Sequence, residues 1–235
     1  MKFSVKKLTT TAMLAALSYI VMVFVRIPIM PAAPFLEYDP KDVLFVLTGF
    51  LIGPVEGCVV VILVCLLEMV TVSTSGPIGL LMNVIASLCF VLPAAFIYRW
   101  KKTLPSAIIG LAVGVFTMTA SMLLWNYLIT PLYTGMPREA VAAMLPTVFL
   151  PFNLIKAGIN MAITLIIYKP VSILLHKAKV LEYKEKNPVP AVAGDTQNSD
   201  GRNERKKKFT PIAIIIGVVL LVICIAAIFI IRNFG

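Results

Sequence analysis

Residues 145–171 read LPTVFLPFNLIKAGINMAITLIIYKPV, and this stretch decides the fold. It is mostly apolar and long enough for a membrane-spanning helix, which needs about 20 residues. Asn153, Lys156 and Asn160 interrupt it at spacing i, i+3 and i+7, so a helix places all three on one face. Ionisable residues in such helices usually face the bundle interior and mark functional sites. The alternative for Lys156 is that it snorkels to the outer interface.

The composition of the whole chain indicates a polytopic membrane protein. Of its 235 residues, 60% are hydrophobic and 14% are charged, and the mean hydropathy is +0.96. The net charge of +10 does not indicate nucleic-acid binding, because the basic residues cluster at the ends of apolar runs. All four cysteines lie within apolar runs and form no C-x-x-C pair, so neither a disulfide framework nor a metal site is predicted.

The apolar runs predict an all-α membrane protein with a six-transmembrane-helix bundle plus one extra C-terminal transmembrane helix. The six helices cover about residues 8–25, 41–52, 55–71, 78–98, 104–129 and 147–175. A signal peptide is the alternative for the first run, but that run is longer than a usual signal-peptide core. The second run is short for a spanning helix. Two proline-rich loops, at 26–40 and 130–146, interrupt the pattern, and the second contains a short helix near 138–144.

The chain divides into three parts by composition. Residues 1–176 form the predicted six-helix membrane domain. Residues 177–208 are polar, basic and nearly free of aromatic side chains, as is typical of a cytoplasmic linker. Residues 209–235 contain the additional C-terminal helix.

The distribution of lysine and arginine predicts the orientation in the membrane. Basic groups precede the first helix, follow the fourth and crowd the linker, and an even number of crossings separates these groups. The positive-inside rule places that side in the cytoplasm. We therefore expect a multi-pass membrane protein with a cytoplasmic N-terminus, an extracytoplasmic C-terminus and both proline-rich loops facing outward.

Motifs for catalysis and nucleotide binding are missing. The sequence has no G-x-x-x-x-G-K-[ST], no H-E-x-x-H and no G-x-S-x-G, and its single histidine, His176, lies at a helix end beside lysines. We therefore expect no enzyme, no cofactor and no metal site.

Polar and aromatic residues near the outer ends of the helices predict a binding pocket. Such a pocket offers amide groups, one cation and aromatic walls, which suits a flat, largely neutral heterocycle. Hydrogen bonding between helices is the alternative for the amides, and the aromatic belt at the membrane surface is the alternative for Trp125. The predicted ligand contacts are Asn153, Lys156, Asn126, Asn160, Tyr38, Leu36, Trp125 and Asn83.

Pairs of small residues four apart allow helices to approach closely. Ala12 and Ala16 form such a pair in the first helix, and Gly110 and Gly114 form one in the fifth. Packing inside the bundle and contact with a partner protein are both compatible with this spacing.

The chain resembles the substrate-binding S-components of energy-coupling factor (ECF) vitamin transporters, in particular the riboflavin-specific ones. The segments that carry the resemblance are LTTTAMLAALSYIV, FLEYDPKDVLFVLTGFLIGPVEG, WNYLITPLYTGMP and the stretch at 145–171. The resemblance implies a six-helix bundle in the bacterial cell membrane that binds riboflavin at its extracytoplasmic side, with Asn153 and Lys156 as the leading contacts. It also implies a partner ECF module, made of a membrane coupling protein and two ABC ATPases. Ala12 and Ala16 would contact the coupling protein.

The linker and the seventh helix depart from the family pattern, and the sequence indicates no role for them. Other readings stay open at this point. They are an S-component for another vitamin or flavin derivative, a self-sufficient secondary carrier, and a membrane scaffold or enzyme.

Overall fold

The computed structural model describes residues 5–30, 33, 36–73, 75–177, 215–226, 228–229 and 231. The predicted all-α membrane fold is confirmed. The helices are α1 (Val5–Phe24), α2 (Lys41–Leu51), α3 (Pro54–Thr71), α4 (Gly76–Lys101), α5 (Leu104–Thr134), α6 (Arg138–Met144), α7 (Leu150–Lys177) and α8 (Ile215–Ala226). A π-helical turn, Leu145–Phe149, joins α6 to α7.

Five helical segments in the described part of the chain are long and apolar enough to cross a membrane: α1, α3, α4, α5 and the continuous segment Arg138–Tyr168. The second predicted helix is α2, which has 11 residues. At 1.5 Å per residue it is about 16 Å long, roughly half of the 30 Å hydrocarbon core. It packs against α1, α3, α4 and α7 and is buried along its whole length. It is therefore a short core helix that returns the chain from the C-terminal end of α1 to the opposite end of the bundle, where Glu56 at the start of α3 pairs with Lys7 at the start of α1.

The segment between α1 and α2 folds back onto the bundle. Its two short strands, β1 (Ile27–Pro28) and β2 (Glu37–Tyr38), pair in antiparallel fashion. We call residues 26–40 the cap segment. The prolines of this segment predicted a loop, but not the strand pairing, which joins residues about ten apart.

The second proline-rich region is more helical than predicted. The fifth helix was expected to end near residue 129, whereas α5 continues through Pro131 to Thr134 and ends at Gly135, whose φ of 71° is left-handed. The short helix predicted near 138–144 is present as α6.

Glycines allow close contact between two of the helices. A Cβ on Gly110 would lie 2.9 Å from the carbonyl oxygen of Ala94, and a Cβ on Gly114 would lie 2.5 Å from that of Phe90. This glycine pair therefore packs α5 against α4 inside the bundle. By contrast, Ala12 and Ala16 are exposed on the outer face of α1.

The described part of the C-terminal region packs against α7 in the antiparallel direction. Gly217 lies against Ala162 and Ile166, and Cys224, further along α8, lies against Gly158. Leu221, Ile228 and Ile231 pack into an apolar cluster that includes residues of the cap segment and of α7. The predicted linker at 177–208 lies outside the described residues, apart from Lys177.

Candidate ligand-binding site

A cavity of about 420 Å³ opens at one end of the bundle. Around it meet the C-terminal ends of α3 and α5, the N-terminal ends of α4 and α7, and the cap segment, which follows α1. This end lies opposite Arg99 and Lys101, which close α4. The volume is in the range of small-molecule sites, about 300–1,000 Å³.

One wall is built by α4, α5 and α7 and combines amides with methionines. On α5, Met118, Met122 and Asn126 recur every four residues and so share one face. The amide of Asn126 is held in place, because its Nδ2 donates to the carbonyl of Met122 at 2.7 Å and its Oδ1 accepts from Thr130 at 3.0 Å. Met82 and Asn83 extend this wall from α4.

Asn153 and Lys156 bring α7 to the same cavity, together with Phe152. Asn153 is buried and donates from Nδ2 to the carbonyl of Phe149 at 2.8 Å. An amide has two N–H donors and an oxygen with two lone pairs, so it keeps hydrogen-bonding capacity for a ligand. Four predicted contacts, Asn83, Asn126, Asn153 and Lys156, therefore converge on one cavity from three helices.

A second wall is charged and comes from the cap segment and the end of α3. Arg26 Nη2 donates to Glu68 at 2.7 Å, and Arg26 Nη1 lies 3.4 Å from Glu37. Leu36, a predicted contact, and Asp39 lie on this wall as well. Burial alone would raise the pKa of Asp39, but the ammonium groups of Lys156 and Lys41 outweigh burial and lower it to about 2. Asp39 is therefore a carboxylate at neutral pH.

Lys156 joins the two walls. Its Nζ donates to Oδ2 of Asp39 at 3.1 Å, and the side chain is buried. Lys41 Nζ lies 3.4 Å from the same oxygen and 2.6 Å from Glu68. The ammonium group of Lys156 is thus paired with a carboxylate inside the protein. The alternative that Lys156 snorkels to the outer interface is therefore wrong.

Three predicted ligand contacts, Tyr38, Asn160 and Trp125, are not on the wall formed by the described residues. Side chains alternate along a strand, so Tyr38 points away from the cavity that its neighbours Glu37 and Asp39 line. Its hydroxyl donates to Oδ1 of Asn160 at 3.1 Å, and Asn160 Nδ2 donates to Asp42 at 3.2 Å. Tyr38 and Asn160 therefore support the site from behind.

Trp125 does not face the cavity, because it lies on a different face of α5 from Asn126. Successive residues are turned by about 100° around an α-helix, and Asn126 occupies the cavity side. Trp125 is half-buried on another face of α5.

The charged wall and the methionines were not predicted from the sequence. The two methionines of α5 could have been predicted as cavity residues, because they precede Asn126 at intervals of four residues and so lie on the same helix face. Glu68 is a weaker candidate from the sequence, since it is an acidic residue within an apolar run. No sequence pattern marks Arg26, Glu37 and Asp39 as site residues, because charged residues are ordinary in loops.

Comparison with known proteins gives one consistent answer. Residues 6–168 match the family model described as ECF transporter, substrate-specific component. Riboflavin transporter RibU of Staphylococcus aureus is 31% identical over 178 residues, which cover 73% of this chain and 93% of that protein. Riboflavin transporter FmnP of Bacillus subtilis is 30% identical over 161 residues, which cover 65% of this chain and 84% of that protein.

A solved structure agrees with the sequence relatives. It is described as the S component of a bacterial ECF transporter, and it shares 31% identity with this chain at a TM-score of 0.62. The match covers 72% of this chain and 97% of that one. The family model ends at residue 168, before the described part of the C-terminal region begins at residue 215.

Proposed function

Because this chain belongs to the family of ECF transporter substrate-specific components, we propose that its cavity binds riboflavin for import into the cell. The observation that carries the proposal is the cavity itself, in which Asn126, Asn153 and Lys156 converge beside a methionine wall. The similarity to named riboflavin transporters supports the same ligand. As a member of this family the chain is a transport subunit and not an enzyme.

The chemistry of riboflavin fits the two walls. Its flat ring system has an apolar dimethylbenzene end and a pyrimidine end with hydrogen-bond donors and acceptors. Methionine side chains are flexible and polarisable, so Met118 and Met122 suit the face or edge of an aromatic ring. Asn126, Asn153 and Lys156 supply donors and acceptors for the pyrimidine end. Asn83 and Leu36 line the remaining surface.

The ligand enters from outside the cell in this proposal. The cavity lies at the bundle end opposite Arg99 and Lys101. Basic residues favour the cytoplasmic side of a membrane protein, so the cavity faces outward and the N-terminus lies in the cytoplasm. The C-terminus then lies outside, since α8 runs antiparallel to α7.

Energy for transport comes from a partner. The sequence carries no P-loop motif, so ATP hydrolysis is assigned to an ECF module of a membrane coupling protein and two ABC ATPases. Ala12 and Ala16 are exposed four residues apart on α1, and side chains of this size allow a partner helix to approach closely. We assign the contact with the coupling protein to this face of α1, where the alternative of internal packing finds no support.

The test is the absorption spectrum of the detergent-purified full-length protein. Flavin absorbs in the visible blue, where protein does not. We expect a yellow preparation that releases its chromophore on denaturation, or a colourless one that quenches the fluorescence of added riboflavin. A protein that is colourless and leaves riboflavin fluorescence unchanged would refute riboflavin binding. Riboflavin uptake in cells without an ECF module would instead favour a self-sufficient carrier.

A further inference from the structure

The C-terminal region has a regular face that packs onto the bundle. Gly217, Leu221, Cys224, Ile228 and Ile231 recur at intervals of four and three residues, so a helix places them on one side. All five are buried or half-buried, whereas most other described residues of this region are exposed. We call these five residues the packed face. It lies beyond the match to the family model, which ends at residue 168, so its contacts are an addition to the matched domain.

The packed face extends to the level of the cavity. Cys224 lies against Gly158, and α8 runs antiparallel to α7. Both helices rise about 1.5 Å per residue, so Ile228 and Ile231 reach the level of about residues 151–154 of α7. Two residues of that range line the cavity. The C-terminal region therefore flanks the part of α7 that carries the site.

The cap segment has two faces, and the packed face meets the apolar one. Glu37 and Asp39 line the cavity. The buried apolar side chains of the cap segment instead join one cluster with residues of α7 and with Cys224 of α8. They are Ile29, Met30, Ala33 and Tyr38, which are at most 6% exposed. Leu221, Ile228 and Ile231 pack against the same cluster.

We propose that the C-terminal region holds the cap segment from the side turned away from the cavity and thereby slows the release of bound ligand. On the cavity side, Lys156 already holds the cap segment through Asp39, at 3.1 Å. A packed helix keeps fixed van der Waals contacts with an apolar surface, which fluid lipid chains do not. If the cap segment moved away, Glu37 and Asp39 would leave the cavity wall. The effect on ligand release rests on the proposed function, whereas the hold on the cap segment does not.

The test variant removes the contact with the cluster and leaves the glycine contacts between α8 and α7 in place. Leu221→Ala/Ile228→Ala in the full-length protein shortens two side chains of the packed face. The matched control is Val222→Ala/Phe229→Ala, which shortens the next residue in sequence at each position. Val222 and Phe229 are 58% and 65% exposed, so they do not contribute to the packed face.

Hydrogen exchange of the ligand-free protein in detergent, measured by mass spectrometry, reports how often the cap segment opens. Its backbone amides should exchange several-fold faster in the test variant than in the wild type, because loss of packed apolar contacts lowers the free energy of local opening. Amides of α4 should keep their wild-type rate, which excludes general unfolding. Riboflavin release, followed as recovery of fluorescence after dilution, should also be several-fold faster. The control should match the wild type in both measurements.

A second variant displaces α8 altogether. A Cβ on Gly217 would lie 2.5 Å from Ile166 and 2.7 Å from the carbonyl oxygen of Ala162, so Gly217→Leu cannot keep the packed arrangement. This variant should accelerate exchange of the cap segment and riboflavin release at least as much as the double substitution.

The remaining outcomes separate this inference from the proposed function. Wild-type exchange of the cap segment in the test variant and in Gly217→Leu would overturn the inference, and so would equal acceleration in the control. Faster exchange with unchanged riboflavin release would refute the role in ligand retention. If the wild type binds no riboflavin, the proposed function fails, while the exchange measurement still decides whether the packed face holds the cap segment.

Discussion

Lys156 of α7 donates a hydrogen bond to Asp39 of the cap segment across a separation of 117 residues, with 3.1 Å between Nζ and Oδ2. This pair explains how a membrane helix keeps a lysine. An unpaired ammonium group in the bilayer interior costs several kcal/mol, and a buried carboxylate offsets that cost. The pair also fixes the cap segment to α7, so the two walls of the cavity have a defined separation.

Removing either of the leading contacts on α7 should weaken riboflavin binding. Asn153→Ala takes away an amide that faces the cavity, and Lys156→Met takes away the ammonium group that joins the walls. Loss of a buried hydrogen-bond partner costs about 1–3 kcal/mol, and 1.4 kcal/mol is tenfold in affinity. We expect a dissociation constant raised roughly tenfold or more in each variant, measured by quenching of riboflavin fluorescence.

Leu154→Ala is the control for these two variants. Leu154 lies between them in sequence but is 44% exposed on the outer face of α7. It should bind riboflavin with wild-type affinity. If Asn153→Ala and Lys156→Met both retain that affinity as well, the cavity is not the riboflavin site.

Lys41 should be important for stability. It is fully buried, with Nζ 2.6 Å from Glu68 and 3.4 Å from Asp39. Lys41→Met leaves both carboxylates buried with one cation fewer. Breaking a buried ion pair costs about 3–5 kcal/mol, and we expect the low end because Arg26 and Lys156 remain. The measurement is the thermal unfolding midpoint in detergent, which should fall clearly.

The matched control is Lys7→Met. Lys7 pairs with Glu56, but its side chain is 45% exposed. Exposed pairs contribute about 0–1 kcal/mol, so this midpoint should hardly move. A Lys41→Met protein as stable as Lys7→Met would show that the buried network does not hold the cap segment.

The membrane helices and the polar residues that the helices bring to the cavity were predictable from the sequence for the same physical reason. Lipid cannot hydrogen-bond the backbone, so a spanning segment must be helical and apolar, which makes it readable from hydropathy. Against that background Asn153 and Lys156 stand out, because polar side chains in such helices are costly. The structure places both on the cavity wall.

The charged wall was not predictable, because it depends on how the cap segment folds. Arg26 and Asp39 lie in a region that reads as a solvated loop, and their partners Glu68 and Lys156 are 42 and 117 residues away. The direction of the Tyr38 side chain could likewise not be predicted, because it depends on the pairing of β1 with β2. Long-range pairings of this kind leave no local pattern.

The additional C-terminal helix should form a permanent contact with α7 through Gly158. A Cβ at this position lies 2.9 Å from Sγ of Cys224, close to the roughly 3 Å that disulfide geometry requires. Gly158→Cys should therefore cross-link to Cys224 under mild oxidation. With a protease site inserted near residue 195, the C-terminal fragment should stay attached on a denaturing gel after cleavage until a reductant is added.

Two further variants decide whether the cross-link reports the packing of α8. Cys224→Ser in the Gly158→Cys background removes the second thiol, so the fragment should separate on a denaturing gel without reductant. Gly217→Leu in the same background keeps both thiols. Its side chain, however, would collide with Ile166 and with the carbonyl of Ala162, which lie 2.5 and 2.7 Å from a Cβ at this site. We expect Gly217→Leu to displace α8 and reduce cross-linking. Release of the fragment from oxidised Gly158→Cys alone would show that α8 does not pack on α7 in the membrane.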